Sequence, residues 1–204
     1  MGSRTFASEL NSEDILVRTP ASSDTLPAVL LVGASRGLGL AIAAEFLKRD
    51  WNVVGTLRGD ARTGLHDLAD EHPGRLEIAS LDISKPDQIS ALHDRVMGRR
   101  FDILFHNAGI ANANPQQSSG TASTEEVVRV LVTNALSPMR VIESLQDLVP
   151  PDGLIGVMSS GQGSIANNER AGNDVCRASK AALNQFMRSY AARHASEPRA
   201  LVLM

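Results

Sequence analysis

Three groups of residues have types and spacings that could do chemistry. The first is Gly33-Ala34-Ser35-Arg36-Gly37-Leu38-Gly39, set between an apolar run at 28–33 and a segment of helical period. Glycines let a backbone turn tightly and approach a pyrophosphate. A helix N-terminus adds unpaired N–H groups and the positive end of its dipole. The spacing is G-x-x-x-G-x-G rather than G-x-G-x-x-G, and alone it is a weak signal, because tight strand-to-helix turns occur in many α/β domains. Its place at the start of a strand–helix alternation favours a dinucleotide site over a structural turn. The second group is Cys176 and Lys180, whose i, i+4 spacing puts a thiol and an ammonium on one helix face. The third is Arg36 with Arg58. An NAD-preferring site usually carries Asp or Glu at the end of the second strand, accepting the ribose 2′-OH. Here that strand ends Thr56-Leu57-Arg58. Two guanidinium groups match a 2′-phosphate by bidentate hydrogen bonds, which favours NADP(H); the plainer alternative is two solvated arginines.

The elements that must position these groups follow from hydrophobic period. Short apolar runs predict strands at 28–33, 52–57, 75–80, 102–106, 153–159 and 199–203. Helical spacing predicts helices at 37–49, 61–71, 86–97, 123–148 and 174–194, with Leu38, Ala41, Ile42, Glu45 and Phe46 marking the first. Pro86 suits the first turn of its helix, with Ser84 or Lys85 as cap. Pro138 lies inside the long helix and should kink it. The alternation is that of βαβ units. It predicts an α/β, Rossmann-type, doubly wound parallel sheet in three αβα layers.

Composition narrows the function classes. With 204 residues the chain suits one domain. A net charge of −3 argues against a nucleic-acid surface, and 3% aromatic residues against stacking platforms. A single cysteine excludes a disulfide within the chain. No apolar run approaches bilayer length, so no membrane partner is expected. Residues 1–27 include ten Ser, Thr or Pro and read as a flexible N-terminal extension. Glu9, Glu13, Asp14 and Asp24 interrupt any signal or transit peptide, and Phe6 stands where myristoylation wants Ser or Thr. A cytoplasmic protein is the expectation. No metal site is expected.

Over residues 28–204 the chain resembles the short-chain dehydrogenase/reductase family, most closely its C-factor-like branch. Gly33-x-x-x-Gly37-x-Gly39 matches the cofactor turn, with Ser35, Arg36 and Leu38 inside it. Leu81-Asp82-Ile83 is similar to the segment whose acid binds the adenine amino group. Asn107-Ala108-Gly109 matches the last three residues of the N-N-A-G motif, with His106 replacing the first Asn. Asn134 falls where the family's catalytic Asn sits. Ser159-Ser160-Gly161-Gln162-Gly163 resembles the S-S-x-x-G segment, and Ala178-Ser179-Lys180-Ala181-Ala182-Leu183 the stretch around the catalytic Lys. Singly, each has a plainer reading. Asn107 could bond loop backbone, Asp82 could start a helix, and Lys180 could be solvated. Their order at family spacing is what carries the resemblance. It implies that Ser160 orients a substrate carbonyl, Lys180 holds the nicotinamide ribose, and Asn134 supports a proton-relay water. It also implies a small carbonyl or alcohol substrate, and a homodimer or homotetramer built on helices 123–148 and 174–194.

The sequence departs from the family at its Tyr-x-x-x-Lys motif, where Cys176 holds the tyrosine position. Tyr190, ten residues beyond Lys180, cannot replace it. A thiol is ordinarily a stronger acid than a phenol, about 8.5 against about 10, so acidity is not the obstacle. Reach is. A sulfur one bond past Cβ leaves the donor roughly 4 Å short on bond-length grounds. Direct transfer needs about 2.6–3.2 Å, or one bridging water. Three readings follow: a weakened or water-relayed reductase, a dinucleotide-binding scaffold or signalling protein without redox activity, or a thiolate nucleophile in different chemistry. The chain also ends at the strand after which the family continues with a Pro-Gly segment, a substrate-covering loop and one more strand. It is expected to be either an excerpt or a shortened form.

Overall fold

The computed structural model describes residues 26–204. The expected extension at 1–27 therefore lies outside the described residues, apart from Leu26 and Pro27. Six apolar runs pair as strands: β1 (Ala28–Val32), β2 (Asn52–Leu57), β3 (Leu76–Ser80), β4 (Ile103–His106), β5 (Leu154–Val157) and β6 (Ala200–Leu203). All are parallel, in the order β3-β2-β1-β4-β5-β6. β4 and β5 are buried along their whole length, as the middle of a parallel sheet covered on both faces requires. Each expected strand forms; 52–57 keeps its bounds, and the other five are one or two residues shorter at one or both ends.

Alternation along β1 sorts its side chains to opposite faces. Val29 and Leu31 join Ala43, Phe46 and Leu47 of α1 (Gly37–Lys48) and Leu65 of α2 (Gly64–Glu71). Leu30 and Val32 join Ile89 and Leu92 of α3 (Pro86–Val96), and the large side chains of two later helices. Among the described residues the sheet thus separates two large cores, with a small third cluster at Val130, Val175 and Cys176; this is the expected three-layer α/β arrangement. Pro86 does stand in the first turn of α3, and Lys85 caps it without a side-chain hydrogen bond.

The expected helix 123–148 is not one regular helix. It runs as α4 (Thr124–Leu131), a π-helical turn at Val132–Leu136, α5 (Ser137–Leu145) and a 3₁₀ turn at Gln146–Leu148. In the π turn Ser137 N–H donates to Val132 O, five residues back. Pro138 explains the widening. It has no N–H to offer the carbonyl four residues before it, that of Asn134, and its ring crowds that oxygen. The irregularity expected at Pro138 is therefore a bulge just before it, and Pro138 itself stands in the first turn of α5. The last helix, α6 (Asp174–Arg193), is regular and carries Cys176 and Lys180.

Candidate active site

β1 lies between β2 and β4, where the winding of the sheet reverses. A crevice forms outside the strand ends at such a point. Here it is a cleft of about 570 Å³. It brings together Gly33, Ser35, Arg36, Arg58, Asp82, Ile83, Asn107, Ala108 and Gly109, nine of the sequence-derived candidates.

Local hydrogen bonds build the glycine turn. Gly33 takes φ +90°, which favours glycine, and a Cβ there would lie 2.7 Å from the Ala108 backbone. Its N–H donates to Thr56 Oγ1 at 3.0 Å, and its carbonyl accepts from Asn107 Nδ2 at 2.8 Å. Gly39 must be glycine because a Cβ would come within about van der Waals overlap of the Gly33 carbonyl, at 2.0 Å. Asn107 therefore does bond loop backbone, the plainer of its readings, and in doing so it ties β4 to the turn after β1. α1 begins at Gly37 with no acid in its first turn and no side-chain cap for its leading N–H groups. Leu38 is exposed.

Asp82 sits on the wall formed after β3. Burial alone would raise its pKa. Hydrogen bonds from Ser84 Oγ (2.7 Å) and Ser84 N (2.9 Å), with Arg58 and Lys85 nearby, outweigh it and hold the carboxyl below its ordinary value. Both bonds land on Oδ1.

The second cluster lies beyond Gly109. Asn134, 1% exposed in the π turn, accepts from Ile110 N–H at 2.8 Å through Oδ1. Its Nδ2 donates to Ile110 O at 2.8 Å and to Ser179 Oγ at 3.0 Å. Ser179 in turn donates to Cys176 O at 2.7 Å. One amide thus clamps the loop after β4 onto α6. Cys176 Sγ accepts from Asn112 N–H at 3.3 Å and reaches Ile110 O at 3.9 Å. Lys180 Nζ donates to Met158 O at 2.8 Å and lies 3.8 Å from where a Cβ on Gly109 would be. Burial lowers the Lys180 pKa, and the Cys176 thiol only partly opposes this. Ser160 Oγ accepts from Gln162 N–H at 3.1 Å on an exposed turn. That turn passes directly over Lys180, for a Cβ on Gly163 would lie 2.9 Å from the Lys180 carbonyl carbon.

Several residues of this arrangement were not among the candidates. Asn184 accepts from Ser159 Oγ at 2.5 Å and donates to Gly163 O at 3.3 Å, holding the serine turn. Thr56, Asn112 and Ser179 are buried polar residues, and the contacts that bring them to the site, with Gly33, Cys176 and Asn134 respectively, join segments far apart in sequence, so spacing gives no sign of them. In the sequence His106 stands out only as a departure from the N-N-A-G motif. It is 1% exposed below the cleft, and desolvation, with the Lys180 charge second, pushes its pKa down to about 3. Among the described residues no cluster of three or more His, Cys, Asp or Glu could hold a metal, and no helix is long and apolar enough to cross a membrane.

Known proteins share this architecture. A family model described as enoyl-(acyl carrier protein) reductase matches residues 33–199. A solved short-chain dehydrogenase/reductase from Burkholderia multivorans, with bound NADP, is 63% identical with a TM-score of 0.86, covering 88% of this chain and 78% of that one. A carbonyl reductase from Pseudomonas aeruginosa PAO1 in complex with NADP is 34% identical with a TM-score of 0.82, covering 87% and 81%. Among curated proteins, 1-hydroxy-2-glutathionyl-2-methyl-3-butene dehydrogenase of Rhodococcus sp. strain AD45 is 27% identical over 162 residues, 78% of this chain and 67% of that protein. Retinol dehydrogenase 8 of Bos taurus is 28% identical over 176 residues, 83% of this chain and 54% of that protein. The chain thus spans about half to two thirds of the length of such curated relatives. With a family model running from the glycine turn to the last strand, and a solved member superposing on nearly all described elements, the chain belongs to the short-chain dehydrogenase/reductase family of oxidoreductases.

Proposed function

We propose that the chain is an NADP(H)-dependent oxidoreductase that interconverts a small carbonyl compound and its secondary alcohol, with Cys176 in the general-acid position. The observation that carries this reading is continuity. The cleft lined by Arg36 and Arg58 also takes in Gly109 and Ile110, and Lys180 and Cys176 stand against those two residues. NADP bound to the Burkholderia and Pseudomonas relatives supports the same cofactor here.

The residues fit a phosphorylated dinucleotide. Gly37 takes φ +56° and a Cβ on it would meet nothing within 4 Å, so the turn presents bare backbone to open space. The first turn of α1 holds no competing carboxylate. Arg36 and Arg58 line the cleft at its phosphate end, and Asp82 has its Oδ2 left to accept from an amino group.

Bound there, a reduced nicotinamide supplies hydride to the carbonyl carbon. The chain does the rest. Lys180 holds the adjoining ribose hydroxyls. Ser160 turns its hydroxyl to the carbonyl oxygen. Cys176 supplies the proton through one water, since its sulfur is held back by Asn112 N–H. Asn134 spends both side-chain N–H groups on Ile110 O and Ser179 Oγ and accepts from Ile110 N–H through Oδ1; its main-chain carbonyl, to which Pro138 has no N–H to offer, is the acceptor proposed for a relay water. Leu136 and Phe186 expose apolar surface on the π turn and α6, and a homodimer or homotetramer through these helices is part of the proposal. Light scattering at micromolar concentration checks it; a strict monomer counts against it.

The test of function is NADPH titration followed by NADPH oxidation with a panel of aldehydes and ketones. Slow turnover is expected. Cys176→Tyr should raise it, because a positioned acid contributes typically about 10²–10⁴-fold. Cys176→Ala separates the other readings: unchanged turnover makes the thiol a bystander, and loss of a different activity makes it a nucleophile. Cofactor binding without oxidation in both wild type and Cys176→Tyr would leave a non-redox dinucleotide-binding protein.

A further inference from the structure

A third arginine lines the same cleft. Arg129 of α4 faces it beside Val128, Val132 and Thr133, opposite Asp82, Ile83 and Ser84. The pairs 128/132 and 129/133 are four residues apart, so one face of α4 and the π turn forms this wall. The guanidinium is not left to wander. Its Nε donates to Glu126 Oε2 and its Nη2 to Glu126 Oε1, both at 2.8 Å. Glu126 is itself fixed, since Oε1 also accepts from Ala113 N–H at 2.7 Å. A fork held along one edge fixes the plane of the guanidinium.

The end of the cleft can be assigned. In a doubly wound sheet the pyrophosphate sits at the glycine turn and the adenosine ribose at the end of the second strand. Arg58 marks that ribose, so the base lies between the Asp82–Ser84 wall and the Val128–Val132 wall. A base needs an apolar slot, which Ile83 and Val132 supply, and a planar cation stacks on an aromatic face. We infer that Arg129 is a cofactor-binding residue whose guanidinium, held flat by Glu126, packs on the adenine ring rather than on the 2′-phosphate. This rests on the dinucleotide reading above and adds a residue to it.

The experiment is calorimetric titration of wild type, Arg129→Ala and Arg129→Lys with NADPH, NADH, 2′,5′-ADP and reduced nicotinamide mononucleotide. Arg129→Ala should weaken NADPH, NADH and 2′,5′-ADP by the same factor, about 3- to 30-fold for a cation on a ring face. Reduced nicotinamide mononucleotide, which has no adenine, should bind wild type and variant alike. Arg129→Lys should restore little, because it keeps the charge and loses the plane. Weakening of NADPH without NADH, or rescue by lysine, would make Arg129 a phosphate contact and overturn the inference. Unchanged affinity for all ligands would overturn it too. Wild type that binds none of them would instead sink the dinucleotide reading itself. Melting temperatures should stay close together, since a partly exposed i, i+3 ion pair contributes little to stability, and Glu126 keeps its bond from Ala113 N–H in the variants.

Discussion

Protonating His106 would place a charge in a site that is 1% exposed and already faces Lys180. Its pKa in the folded chain, about 3, lies below its ordinary 6.5. Between those values the unfolded chain binds the extra proton, so folding is favoured at higher pH. Stability should be full above pH 6.5 and fall, by at most about 1.4 kcal/mol per pH unit, as pH drops toward 3. His93 works the other way: its hydrogen bond with Asp147 holds its pKa up, and its contribution fades as pH rises. Urea midpoints at several pH values should decline on acidification in wild type and decline less in His106→Asn. Equal slopes would mean that His106 is not held neutral. Specificity belongs to the same scale. Arg58→Ala should weaken NADPH relative to NADH by about 1–3 kcal/mol, the loss of charge-assisted hydrogen bonds; equal wild-type affinities for the two cofactors would refute the assignment. The residues legible in the sequence were those with local spacing, such as Gly33 to Gly39 and Cys176 with Lys180. Arg129, Asn112 and Asn184 were not legible, because their roles come from contacts between segments far apart in the chain.

The π turn is the element on which the second half of the site depends. Its extra residue rotates Asn134 toward the loop after β4, where the amide bonds both backbone groups of Ile110. An α-helix and an α-helix with one π turn share the same apolar period over most of their length. Hence 123–148 reads as one helix, with Pro138 as the sole local hint. The strands and the other helices were legible because buried parallel strands are short apolar runs and the helices between them keep a 3.6 period. Asn134→Ala strands the Ile110 N–H and carbonyl and removes the bond to Ser179. A loss of about 1–3 kcal/mol is expected for such buried groups, or several degrees of melting temperature for a domain of this size. Thermal melts followed by circular dichroism measure it. Asn134→Asp should recover little, since a carboxylate cannot donate to Ile110 O. A wild-type melting temperature for Asn134→Ala would show that the clamp is not needed.

At the scale of the molecule, the sheet is two runs of βαβ units, β1 to β3 and β4 to β6, joined along β1 and β4. Within each run neighbouring strands are linked by one crossover. The join is different: Gly33 and Asn107, which bond across it, are 74 residues apart. Closing so long a loop is slow, and chains of this length commonly pass through partly folded states. The glycine turn takes its final shape only when Asn107 reaches the Gly33 carbonyl. Each run can therefore gain its helices and part of its core before any dinucleotide could be held. On refolding from denaturant, far-ultraviolet circular dichroism should recover ahead of NADPH fluorescence, and the cofactor signal should follow the slowest phase. Recovery of both in one fast phase would contradict this order. Set on the seam between the runs, the binding site reports completion: a chain that can take up its cofactor is one whose two halves have already met.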